Sequence, residues 1–142
     1  YLPFMSFLTT YLLFSMVVLP YIETGFRNHE QIGAAIRQHV PDASVPLLLE
    51  NQHIHNLPYY AERRVVPELT PAAILERTEG DALLALVSAG SASRYGPSRM
   101  LWEGSIYEGS ETRTLEFILN VMKERRGEPS RFQRYQVIYR PD

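Results

Sequence analysis

The chain has 142 residues, with 16 acidic and 14 basic side chains, a net charge of -2 and no cysteine. This length suits one membrane segment and one domain of roughly 100–120 residues, which can bury a core without metal or disulfide support. The composition excludes a disulfide framework, a thiolate metal site and a cysteine nucleophile, and it gives a nucleic-acid partner no electrostatic support.

The first 22 residues, YLPFMSFLTTYLLFSMVVLPYI, contain no Asp, Glu, Lys, Arg or His. A helix rises about 1.5 Å per residue, so this stretch is long enough for a hydrocarbon core of about 30 Å. Tyr1 and Tyr21 lie near its ends, where tyrosine favours the membrane interface, and Pro20 ends the run. We predict a transmembrane helix over residues 1–22, the last span of a longer protein, followed by a soluble domain over 23–142. The alternative is a buried core helix.

The orientation is predicted from the residues that follow the apolar run. Arg27 and Arg37 are the basic residues of this stretch, and they do not form the Lys/Arg cluster of a cytoplasmic flank. The domain is therefore predicted to be extracytoplasmic, on the bacterial inner membrane.

Helix and strand patterns alternate through the rest of the chain. Helices are predicted at FRNHEQIGAAIRQHV, NLPYYAERR, TPAAILERTEGD and SETRTLEFILNVMKERRG, with Asn28, Asn56, Thr70 and Ser110 as their N-caps. Strands are predicted at VPLLLEN, RVVPEL, ALLALVSAG and, at a sheet edge, RFQRYQVIYR. MLWEGSIYEG suits a strand or an irregular crossing. The fold class is α/β: a transmembrane-type helix followed by a small α/β sandwich with a mainly parallel sheet.

Candidate binding residues lie in two neighbouring stretches. In HIH, His53 and His55 share one side of an extended segment, but no third ligand follows at a suitable spacing, so no metal site is predicted. In PYYAERR, Tyr60 and Arg63 are candidate binding residues on a short helix. We favour a structural use of both, and no residue of the chain is assigned as catalytic.

Two further stretches carry weaker signals. SAGSASRYG follows a strand, where α/β sheets bind ligands, but it matches neither phosphate-loop pattern. KERRG, with Arg131, Arg134 and Arg140, suits either anionic lipid headgroups or a solvated helix end, and we favour the solvated helix end.

The order of these elements resembles a known family. The apolar run followed by PYIETGFRNHEQIGAAIRQHVPDASVPLLLENQHIHNLPYYAERRVV is similar to the C-terminal end of GT-C class glycosyltransferases, the relatives of the lipid A aminoarabinose transferase and the protein mannosyltransferases. Many bacterial members have, after the last span, a helix, a strand and a segment like LPYYAERRVV. The resemblance covers roughly residues 1–90.

The resemblance implies a sugar transfer from a polyprenyl-phosphate donor to an extracytoplasmic acceptor. In that family the catalytic carboxylate lies in the first extracytoplasmic loop and often works with a divalent metal. This chain lacks that loop, so it would be a non-catalytic accessory domain without a cofactor of its own. Its partners would be the upstream transmembrane domain of the same protein, the lipid bilayer and, indirectly, the lipid-linked sugar. The alternative is a singly membrane-anchored periplasmic binding or interaction domain.

Overall fold

The computed structural model describes residues 1–19, 27–108 and 114–142. The boundary predicted between residues 22 and 23 and the predicted cap Ser110 both lie outside the described residues.

The chain divides into two compact units that do not follow the order of the sequence. The first combines Tyr1–Arg27 with Ile106–Gln133, and the second combines Asn28–Ser105 with Arg134–Asp142.

The first unit begins with an N-terminal helix, and the prediction that it spans a membrane is not confirmed. Helix α1 spans Leu2–Leu13, and one π-helical segment, Phe14–Val18, continues it. No residue of α1 is buried, although all of its side chains are apolar or uncharged. Over residues 1–19, 27–108 and 114–142, no helix is both long and apolar enough to cross a bilayer.

The second half of the first unit is held by an aromatic cluster. Tyr107 lies at the end of a long strand, Phe117 on a helix and Phe132 at the start of the last strand. The ring centroid of Tyr107 is 5.1 Å from each of the other two. On the same helix, the Asn120 side-chain oxygen accepts a hydrogen bond from the Arg131 amide at 2.9 Å. These contacts fix the loop between this helix and the last strand.

Helices and strands alternate in the second unit, as the sequence predicts. Its elements are α2 (Asn28–His39), β1 (Leu47–Glu50), α3 (Leu57–Ala61), β2 (Val65–Leu69), α4 (Pro71–Arg77), β3 (Leu83–Ser88) and a 3-10 helix (Ala92–Tyr95). Strand β4 (Arg99–Tyr107), helix α5 (Thr114–Arg125) and strand β5 (Phe132–Arg140) follow. The Thr70 hydroxyl caps α4 by accepting from the Ala73 amide at 3.2 Å.

The five strands form one mixed sheet in the order β2-β1-β3-β5-β4. Strand β1 is parallel to β2 and β3, whereas β5 is antiparallel to β3, from Leu83 opposite Arg140 to Ser88 opposite Tyr135. The predicted α/β class is therefore confirmed, but the sheet is mixed rather than mainly parallel.

The position predicted for β5 is wrong. It lies between β3 and β4 rather than at an edge, and its Val137 and Ile138 are both buried. Consecutive buried residues indicate a strand that is covered on both faces, as the central strands β1 and β3 are.

The edge strand β2 has an irregular end. It contains Pro67, which has no amide hydrogen for a sheet ladder and is tolerated at an edge. Glu68 next to it has a positive φ of 56°, and the pairing with β1 shifts by one residue there. These features bend β2 away from a regular strand.

Candidate functional site

A group of hydrogen-bonded polar side chains lies at the carboxyl end of β1. Glu50 is only 5% exposed, and two hydroxyl groups donate hydrogen bonds to its carboxylate. Ser91 Oγ donates to one oxygen at 2.6 Å, and Tyr95 Oη donates to the other at 2.5 Å. Both distances are typical of hydrogen bonds to an ionised carboxylate. The carboxylate thus connects β1 to the segment that follows β3.

Tyr95 is the buried partner of this group. Its pKa is raised by burial, and then by the hydrogen bond to Glu50 and the negative charge of that carboxylate. The phenol therefore stays protonated and acts as a donor at physiological pH. The Arg140 guanidinium at the end of β5 donates to the Tyr95 carbonyl at 3.1 Å. The 3-10 helix is thereby held to both β1 and β5.

The hydrogen bonds to Glu50 argue against phosphate binding by SAGSASRYG, residues 88–96. The hydroxyl of Ser91 is already used as a donor to Glu50. A phosphate at this loop would face the negative charge of that carboxylate, which repels it. The geometry therefore favours a structural role for the loop, in which Ser91 and Tyr95 hydrogen-bond Glu50 at the end of the sheet.

The segment after β1 carries the two candidate histidines. Gln52 fixes this segment from both sides, because its side chain donates to Tyr135 Oη at 2.7 Å and its carbonyl accepts from the Glu68 amide at 2.8 Å. The structure brings His53 and His55 together: His53 Nε2 is 3.1 Å from His55 Nδ1. Both imidazoles are exposed.

Tyr60 lies where α2 and α3 meet. A Cβ built on Gly33 of α2 would be 2.5 Å from the carbonyl carbon and oxygen of Tyr60. Only a glycine fits at this distance, so the backbone of Tyr60 is part of the helix contact. Its ring is half-buried and packs edge-on against Tyr59, which is 79% exposed.

Arg63 lies inside the fold. It is 8% exposed, and its guanidinium donates to the carbonyl of Val40 at 2.6 Å and, at 3.3–3.4 Å, to those of Ala61, Val45 and Asp42. Burial lowers the pKa of Arg63, and the Asp42 carboxylate opposes this shift. The side chain thus joins the end of α2, the loop before β1 and the end of α3, and these donors face the protein's own backbone rather than solvent.

Asn56 does not cap α3 as predicted. Helix α3 begins after Asn56 without a side-chain cap. Burial lowers the pKa of His29 of α2, while the interaction with the Asn56 side chain opposes the shift. Among the described residues, no hydrogen-bond partner reaches the buried Nδ1 of His29.

Groups of three or more metal ligands and cavities do not identify a further ligand. Within the described parts of the chain, no group of three or more His, Asp or Glu residues could hold a metal ion. A cavity of about 390 Å³ near the amino end of β1 is lined by side chains of both signs, including Asp42, Asp81 and Arg77. Neither observation indicates a particular ligand.

Sequence reasoning missed Glu50. The signal was present, because an acidic residue ends the apolar run VPLLLE, and a carboxylate in a buried strand must find donors. Its donors, Ser91 and Tyr95, follow it by 41 and 45 positions in the chain, and no local pattern predicts such distant partners.

Comparisons with known proteins give no relative for this chain. No family model matches, and neither a curated protein nor a solved structure matches it significantly.

Proposed function

We propose that the chain is the C-terminal accessory region of an integral-membrane glycosyltransferase. The enzyme transfers a sugar from a polyprenyl-phosphate donor to an acceptor on the extracytoplasmic side of the bacterial inner membrane. Support comes from the resemblance of residues 1–90 to GT-C class transferases and from the exposed apolar side chains of the N-terminal helix. The α/β part after it is the extracytoplasmic portion.

The observation that carries the proposal is the exposure of α1. None of its side chains is buried, and its large apolar residues include Phe4 at 65% and Phe7 at 70% exposure. Covering a large apolar side chain stabilises by about 1.5–3 kcal/mol, so covering this helix is worth on the order of 10 kcal/mol. Lipid and the upstream transmembrane helices supply such a cover. We propose that the segment starting with α1 is the last membrane segment.

The α/β part contributes positioning rather than chemistry. Tyr60 and Arg63, the residues of the LPYYAERRVV segment that suggested a site, contact the protein's own backbone. The residues described here do not fit the catalytic divalent metal of the family, since no acidic or histidine group of three could hold it. By the resemblance, the catalytic carboxylate and its metal belong to the first extracytoplasmic loop, upstream of this region.

Cysteine accessibility in intact cells tests the membrane assignment. The chain has no cysteine, so a single introduced cysteine gives a clean signal from it. We expect a membrane-impermeant maleimide to label Ser93→Cys, which lies at an exposed position of the second unit, without permeabilisation. The matched variant Ser6→Cys in α1 should stay unlabelled because lipid shields it. Equal labelling of both variants would place α1 in water and contradict the proposal.

The transferase assignment needs the protein together with its upstream region. Membranes carrying this protein should consume a polyprenyl-phosphate-linked sugar, and removal of residues 23–142 should reduce the transfer. Several apolar spans and an acidic residue in the first extracytoplasmic loop should precede Tyr1. A short basic leader directly before Tyr1 would instead identify a singly anchored periplasmic binding domain.

A further inference from the structure

The pair His53 and His55 has a geometry that the proposed function does not use. His53 Nε2 and His55 Nδ1 are 3.1 Å apart, and the ring centroids are 4.2 Å apart at an interplanar angle of 88°. Both side chains are exposed, so a solute can reach the hydrogen-bonded pair. Each of these two groups can bind a metal through a neutral ring nitrogen.

The fold itself brings the two rings together. Ile54 between them is buried with 8% exposure, whereas both histidines are exposed. The backbone is held before them by Gln52, which bonds both Tyr135 and the Glu68 amide, and after them by the Leu57 amide, which donates to the Ile54 carbonyl at 3.4 Å. A ligand therefore needs to order only the two rings.

The separation of the two nitrogens matches the bite of one metal ion. With metal–nitrogen bonds of about 2.0–2.1 Å, two imidazole nitrogens are about 2.8–3.0 Å apart at a right angle and about 3.3–3.4 Å apart at a tetrahedral angle. The observed 3.1 Å lies between these values. We propose that His53 and His55 form a two-imidazole site for a divalent transition metal of the Ni²⁺, Cu²⁺ and Zn²⁺ group.

Binding is a ligand exchange without redox chemistry. The hydrogen bond between the rings breaks, and the hydrogen on its donor nitrogen moves through solvent to the other nitrogen of the same neutral ring. Each of the two facing nitrogens then gives its lone pair to the ion, and two metal-bound waters leave. Exposed rings reorient on the picosecond to nanosecond scale, so both lone pairs can turn toward one ion.

The ligand set determines which ions bind. Imidazole nitrogen suits Ni²⁺, Cu²⁺ and Zn²⁺, whereas Mg²⁺ and Ca²⁺ require oxygen ligands. Two protein nitrogens leave coordination positions for water or an external donor, since no third His, Asp or Glu completes the set among the described residues. The expected order of affinity places Cu²⁺ above Ni²⁺ and Zn²⁺.

Titration calorimetry on the full 142-residue chain in detergent micelles tests this site. We expect CuCl₂, NiCl₂ and ZnCl₂ each to bind with a stoichiometry of one, and MgCl₂ to give no heat of binding. His53→Gln and His55→Gln should each weaken binding at least about tenfold, because joining two sites commonly raises affinity by about 10²- to 10⁴-fold. The matched control is His39→Gln, a histidine that lies beside Arg99 and should leave the affinity unchanged.

Two results would contradict the proposed metal site. If His53→Gln and His55→Gln bind these ions as tightly as the unaltered chain, the proposal is wrong. The same holds if His39→Gln weakens binding as much as they do. Circular dichroism of each variant must match the parent spectrum, which we expect because both rings lie outside the core.

Discussion

Gly33 of α2 lies directly against the backbone of Tyr60 in α3. A Cβ on Gly33 would be 2.5 Å from the carbonyl carbon and oxygen of Tyr60, and 2.6 Å from its Cβ. Two of these three atoms belong to the backbone, so they cannot move aside as the end of a flexible side chain would. The closeness of α2 and α3 thus depends on the absence of one methyl group.

We expect Gly33→Ala to destabilise the fold. Overpacking typically costs about 1–3 kcal/mol, which exceeds the roughly 1 kcal/mol that alanine contributes to a helix interior. Urea unfolding followed by circular dichroism measures the difference. The control is Gly90→Ala, where the new Cβ meets only the Ser88 hydroxyl at 3.7 Å and should change little. A Gly33→Ala variant more stable than the parent would contradict the close contact.

Arg63 and its neighbour Arg64 form a matched pair for a second prediction. Arg63 is buried and bonds four carbonyls, whereas Arg64 is exposed. Arg63→Ala leaves buried carbonyls without donors, so we expect a loss of about 2–4 kcal/mol in the free energy of unfolding. Arg64→Ala should change it by less than about 0.5 kcal/mol. An Arg63→Ala chain with parental stability would show that its hydrogen bonds are not structural.

The two hydroxyl groups on Glu50 should be coupled through that carboxylate. Tyr95→Phe removes one donor and leaves a buried carboxylate oxygen less satisfied, which costs about 1–3 kcal/mol. When Glu50→Gln is already present, the same change should cost less, because a neutral amide oxygen is a weaker acceptor. A double-mutant cycle by urea unfolding measures the coupling. Full additivity of the two changes would contradict it.

His29 predicts a fall in stability on acidification. Its pKa in the folded chain is lowered by burial from its ordinary value of 6.5, so the unfolded chain binds the proton more readily. The contribution of His29 to the free energy of unfolding is therefore fully present above about pH 6.5. It decreases as the pH falls from there through the lowered pKa of the folded chain. Unfolding at pH 7.5 and pH 5.0 should show a larger loss for the parent than for His29→Gln. Equal losses would exclude this contribution.

Local sequence signals predicted the elements better than their arrangement. Thr70 and Pro71 specify the start of α4, and α4 begins there with the Thr70 hydroxyl as cap. Asn56 offers a similar signal before α3, but its side chain makes no cap hydrogen bond, and it lies beside His29 of α2, 27 positions earlier. The place of β5 in the sheet was mispredicted, because strand order depends on pairings between distant segments.

In the candidate site, too, local sequence predicts some features and the tertiary fold determines others. The sequence places His53 and His55 two positions apart, and the structure brings their rings together. The burial of Arg63 does not, because its acceptors at Val40, Asp42 and Val45 come from a loop whose path the sequence does not specify. Arg63 is buried and the adjacent Arg64 is exposed, and only the tertiary fold determines which of the two is buried.

The irregular end of β2 has a consequence for encounters between separate molecules. A regular edge strand offers a row of free amides and carbonyls on which a strand of another chain can assemble. Pro67 removes one amide from that row, and the left-handed Glu68 turns the backbone out of line. A second copy that approaches this side of the sheet meets an incomplete template. The sheet thus discourages fibre-like self-association along β2 at high local concentration.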